Sequence, residues 1–117
     1  MDNKPDLTKE IPLTEATFFI LLSLAPGPKH GYGIMQEVEL LSDGRLKLST
    51  GTLYGGIKRL LEFGWIEKVE HPEEGAPPRE RRLYQLTDIG RSILKAETER
   101  MQQLVSLSQR INSALIV

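Results

Sequence analysis

Residues 88–112 read as one amphipathic helix, and nothing remains in the chain to cover so long an apolar face. Thr87-Asp88 supplies the start, with the Asp88 carboxylate favourable at the N-terminal end of the helix dipole. Ile89, Ile93, Ala96, Leu104, Leu107 and Ile111 fall along one stripe, and Leu94, Met101 and Val105 widen it. The 117 residues suit one small domain with this helix appended.

Three shorter helices precede it. Residues 1–12, with Pro5 and Pro12 and little apolar content, read as a flexible leader. A first helix begins near Thr14, a suitable N-cap, and runs through Phe18, Ile20, Leu21, Leu22 and Leu24 to Pro26-Gly27-Pro28. It is apolar on most sides, which places it in the core or at an interface. A second helix spans about Gly31 to Leu41, with Ile34, Val38 and Leu41 at i, i+4 and i+7. Leu46-Lys47-Leu48 alternates and reads as a short strand. The third helix, TGTLYGGIKRLLEF, is capped by Ser49 or Thr50 and stopped by Gly64. Two β-like runs follow, Trp65 to Glu70 and Arg81 to Leu86. HPEEGAPPRE between them is too polar and too rich in Pro and Gly to pack, so the pair makes a hairpin with a projecting tip. The fold class is therefore mainly α with a small β-hairpin.

The third helix raises a question of cost. Each of its adjacent glycines, Gly55 and Gly56, should cost about 1 kcal/mol relative to alanine inside a helix. At 100° per residue, Leu53, Ile57, Leu60 and Leu61 form the buried stripe, and Gly55 falls near the centre of the opposite face. Gly51, Thr52, Lys58, Arg59 and Glu62 share that outer face, with Tyr54 at its edge. Bare backbone ringed by a hydroxyl, a phenol and two cations suits a DNA major groove. Thr52 would meet bases or phosphate, Lys58 and Arg59 guanine edges or phosphates, and Tyr54 a phosphate oxygen. The plainer alternative is close packing against a neighbour and a solvated Lys-Arg pair. Gly56 lies at the flank and eases packing.

The hairpin favours the first alternative. Lys68 sits on its outgoing strand and Arg79, Arg81 and Arg82 on its return, beside a helix with a small-residue polar face. That is the two-part footprint of a winged helix. Glu70, Glu73 and Glu74 oppose a basic tip, so the cations act from the base of the wing. Charge along the chain agrees: residues 1–44 hold three basic and seven acidic groups, residues 45–82 eight and six.

Together, HGYGIMQEV at 30–38, STGTLYGGIKRLLEFGWIEK at 49–68 and RRLYQLTDIGR at 81–91 resemble the PadR family of transcriptional regulators. The resemblance runs from about Leu13 to Arg91. It implies a winged helix-turn-helix over 13–87 and a C-terminal dimerisation helix over 88–117, as in the small subfamily. It also implies a homodimer that binds double-stranded operator DNA, usually as a repressor, with 50–63 as recognition helix. Thr50 joins Thr52, Tyr54, Lys58 and Arg59 as an expected contact, and Tyr32 corresponds to the family's phosphate-contacting tyrosine. The dimer interface is expected at Phe18, Ile93, Met101, Leu104, Leu107 and Ile111. Some members bind phenolic or aromatic effectors between subunits, so a small hydrophobic or phenolic effector belongs to the expectation. The terminal helix, however, carries no aromatic residue.

Other classes find little support. With no cysteine there is no disulfide framework, thiolate metal site or cysteine nucleophile. His30 and His71 lack metal-ligand spacing, and His30 reads as a helix-start residue. Ser49-Thr50-Gly51 lacks the rest of a P-loop. No enzyme activity, metal or cofactor is expected. The longest apolar run, Phe18 to Leu22, is far short of a membrane span, and the N-terminus is unlike a signal peptide, which points to the cytoplasm. The competing reading is a winged-helix module that contacts protein rather than DNA.

Overall fold

The computed structural model describes residues 9–69 and 82–115. The element order is α1 (Glu15–Leu24), β1 (Lys29–His30), α2 (Gly31–Leu41), α3 (Thr50–Phe63), β2 (Ile66–Lys68), β3 (Leu83–Leu86) and α4 (Asp88–Leu115). Arg79, Arg81 and the expected wing tip lie outside the described residues, as do residues 1–8 of the expected leader.

Each short helix is set by its caps. The Thr14 hydroxyl accepts the Thr17 N–H, and the Ser49 hydroxyl accepts the Thr52 N–H. His30 caps α2, its Nδ1 accepting the Gly33 N–H at 3.1 Å. Gly64 ends α3 in the left-handed conformation (φ 76°), which a side chain would strain.

The core forms where the apolar stripes meet. Ile20, Leu21 and Leu24 of α1 pack with Ile34 and Val38 of α2, Leu53, Ile57 and Leu60 of α3, and Ile66, Tyr84 and Leu86 of the sheet. Burying each such aliphatic side chain stabilises by about 1.5–3 kcal/mol relative to exposure. Leu61, expected in the α3 stripe, is only partly buried against this core. Helix α1 touches α2, α4 and β3, which is why it needs apolar residues on most sides.

The sheet differs from expectation. Among the described residues it has three antiparallel strands in the order β1-β3-β2, with Lys29 and Lys68 both directly opposite Tyr84. The short strand expected at Leu46–Leu48 is not formed. The Leu46 N–H is taken by the Ser42 hydroxyl at 2.9 Å, and Leu46 and Leu48 pack partly buried against the core. The free edge of β3 is filled by Lys29–His30 instead.

Helix α4 has two regimes. Its first turns lie on α1 and β3, where Ile93 and Leu94 are buried. Ile93 was expected in the dimer interface, but at 0 % exposure within its own chain it has no surface to offer a second copy. It is a core residue. Beyond Met101 the helix leaves the core, and every residue from 102 to 114 is exposed.

Candidate nucleic-acid interface

The outer face of α3 is open. Thr50, Gly51, Thr52, Tyr54, Gly55, Lys58, Arg59 and Glu62 are all exposed, on the side away from buried Leu53, Ile57 and Leu60. A Cβ built at Gly55 would meet nothing within 4 Å, whereas one at Gly56 would lie 3.3 Å from Ile20 Cδ1. The two glycines thus separate: Gly55 leaves bare backbone at the centre of the free face, and Gly56 lets α3 approach α1.

The base of the hairpin stands beside this face. Tyr84 is buried, and its hydroxyl is held above the usual phenol range by burial and then by the neighbouring Tyr54 phenol. Arg82 opposes that shift, which puts its charge near the same point. Lys68 and Arg82 are exposed. Tyr32, at the first turn of α2, is 59 % exposed. The strand base therefore brings Lys68, Arg82 and Tyr84 toward the edge of α3 marked by Tyr54.

Lys29 belongs to the same row. It faces Lys68 across Tyr84, so a cation stands on each side of the central strand. The sequence alone does not single it out, because its position follows from a two-residue strand. The tip of Tyr54 also rests against Gly31, a contact without sequence periodicity.

The expected interface residues behave differently from one another. Phe18 is partly buried, with its ring edge-on to Phe19 at 5.7 Å. Met101 is partly exposed at the point where α4 leaves the core. Leu104, Leu107 and Ile111 are exposed by 51 %, 44 % and 51 %, with Val105 beside them. Trp65 packs inside on Phe63, their ring centroids 5.0 Å apart. Among the described residues, no group of acidic and histidine side chains is placed to hold a metal, and no helix is long and apolar enough to cross a membrane.

A three-helix core with a capped, small-residue helix exposed beside an antiparallel hairpin is the winged-helix architecture. The chain belongs to the transcriptional regulator PadR-like family, which matches residues 20–96, and so to a family of transcription regulators rather than enzymes. A PadR family transcription regulator from Clostridium difficile R20291 is similar in fold, with TM-score 0.69 and 19 % identity over 84 % of this chain and 98 % of that one. A PadR-like transcription factor from Bacteroides fragilis is 27 % identical, with TM-score 0.65 over 81 % and 87 % of the two chains. In sequence, the chain is 36 % identical over 90 residues to an uncharacterized 37.1 kDa protein in a transposon of Streptomyces fradiae. That match covers 77 % of this chain but only 24 % of the relative's length.

Proposed function

We propose that the chain is a homodimeric, sequence-specific regulator that represses transcription in the cytoplasm by occupying operator DNA. In this reading α3 enters the major groove. Thr50, Thr52, Lys58 and Arg59 meet bases or phosphates, and Gly55 lets the helix backbone come close. Tyr32, Tyr54, Lys68 and Arg82, with Arg79 and Arg81 of the wing, hold the phosphate backbone. The domain scheme is a leader over 1–12, the reading domain over 13–87 and the dimerising helix over 88–117. Its first turns also serve the core of the reading domain.

One observation carries the reading: the exposed face of α3 has open space at its centre and cations, hydroxyls and a phenol around it. A packing role for Gly55 would need a neighbour, and among the described residues none lies within 4 Å of its Cβ position. The exposed stripe Leu104, Leu107 and Ile111 supports the dimer, since an apolar row standing off the core is stabilised by a second copy.

The test is a mobility-shift titration on the promoter region of the protein's own gene. If the dimer neutralises about 6–10 phosphates, affinity falls by about 10³–10⁵ between 50 and 200 mM salt. A dimer that binds no duplex even at low salt would favour the protein-contact alternative instead. Repression is read by transcription from the same promoter. Effector control is read by titrating small hydrophobic or phenolic compounds into the preformed complex, with a change in operator affinity as the expected response.

A further inference from the structure

The start of α2 is closed by a side chain from α3. Gly31 is buried, and a Cβ built on it would lie 2.5 Å from the Tyr54 hydroxyl oxygen, 2.8 Å from Cζ and 3.1 Å from Cε1. Those separations are well inside van der Waals contact, so the ring occupies space that exists only because residue 31 has no side chain. Tyr84 stands close by on β3, near enough for the Tyr54 phenol to affect its titration. Tyr54 and Tyr84 thus meet beside the start of α2. Tyr54 remains 40 % exposed although its tip lies against Gly31. The obstructing atoms are the free end of a side chain with solvent beside it. A methyl group at residue 31 would therefore expel the ring rather than unfold the domain.

We infer that Gly31 is a positioning residue for DNA binding: the space above its Cα seats the Tyr54 phenol at the rim of the α3 reading face. The inference rests on the proposed role of α3. Gly31 makes no DNA contact in this scheme and acts through Tyr54 alone. An alanine there swings the phenol away from the phosphate it would contact, while Lys58 and Arg59 stay in place.

A double-mutant cycle tests this, using a duplex selected from a random-sequence pool by the unsubstituted protein. Gly31→Ala should weaken binding of the dimer about a hundredfold, or about tenfold at each half-site, the scale of one hydrogen bond to a charged group in each head. Its unfolding midpoint and salt slope should stay unchanged, because a neutral phenol displaces no counterion. Tyr54→Ala should lose about as much, and the double variant should bind no worse than Tyr54→Ala alone. In NMR spectra of tyrosine-labelled protein, the contact between the Tyr54 ring and the Gly31 Hα should vanish in Gly31→Ala. Gly33→Ala is the control, since its added carbon would make ordinary contacts with the His30 ring at 3.4 Å and Lys29 Cβ at 3.7 Å and would not meet Tyr54.

Losses that multiply in the double variant would mean Gly31 acts by another route, and the inference fails. A native affinity in Gly31→Ala beside a weakened Tyr54→Ala would sink it while leaving the reading of α3 intact. Native affinity in Tyr54→Ala would remove the phenol from DNA binding and overturn the inference as well. If Gly31→Ala unfolds, recovery of the fold in the double variant supports the clash, and an unfolded double variant refutes it.

Discussion

Glu97 is 2 % exposed, yet it is ion-paired with Arg100. Its carboxylate accepts both Nε and Nη2 of Arg100 and the backbone N–H of Leu13 at 2.8 Å. The Arg100 hydrogen bonds hold it below the ordinary value of 4.5, against the upward push of burial, and the Leu13 N–H adds to them. A carboxyl depressed in the folded state contributes stability above its unfolded pKa and loses it as pH falls through the folded value. The domain should therefore weaken progressively below about pH 4.5, and Glu97→Gln should flatten that dependence in urea titrations. At neutral pH the same substitution should cost about 2 kcal/mol, the scale of hydrogen bonds to a charged group. Gly55→Leu should do the opposite, sparing stability while reducing DNA affinity; an unchanged affinity would remove the close-approach role. The contrast shows which residues were legible. Gly55 stood out because helical rotation alone puts it on the free face. Glu97 did not, because its backbone partner is 84 residues away and no local pattern pairs them.

The junction of β2, β3 and α4 depends on one close approach. The Thr87 hydroxyl donates to the Gly64 carbonyl at 2.6 Å and accepts the Gly90 N–H at 3.0 Å, which caps α4. A Cβ at Gly90 would fall 1.9 Å from the Trp65 carbonyl oxygen. That obstacle is backbone, so it cannot swing aside as Tyr54 can. Gly90→Ala should destabilise the domain by about 3 kcal/mol or more, measured by urea unfolding. Thr87→Ala should cost about 1 kcal/mol through the lost cap. At this scale helices were easier to read than strands. Periodicity and caps outline α1, α2 and α3, and the two hairpin strands follow from their flanking turns. Lys29–His30 is too short to show any period, and only the vacant edge of β3 makes it a strand. Leu46–Leu48 alternates as a strand should, but Ser42 takes its backbone hydrogen bond first.

Across the whole molecule, the apolar stripe of α4 looked continuous in sequence, so Ile93 and Leu104 read as one face. Packing divides them, because the domain covers only the first turns and leaves the rest in solvent. If the free half joins two copies, Leu104→Glu with Leu107→Glu should sediment as a monomer and bind operator DNA weakly. A dimer that survives both changes would place the interface elsewhere. The 28 residues of α4 form a single helix about 42 Å long, anchored at one end in the core and free at the other. As a rigid rod, it turns angle into distance. If the rods cross near Leu107, about 28 Å from Asp88, a change of about 7° in that crossing would displace their anchored ends by about 3.5 Å, close to the rise of one base pair. In the proposed dimer, the crossing angle alone would then decide whether both reading heads find their half-sites in step.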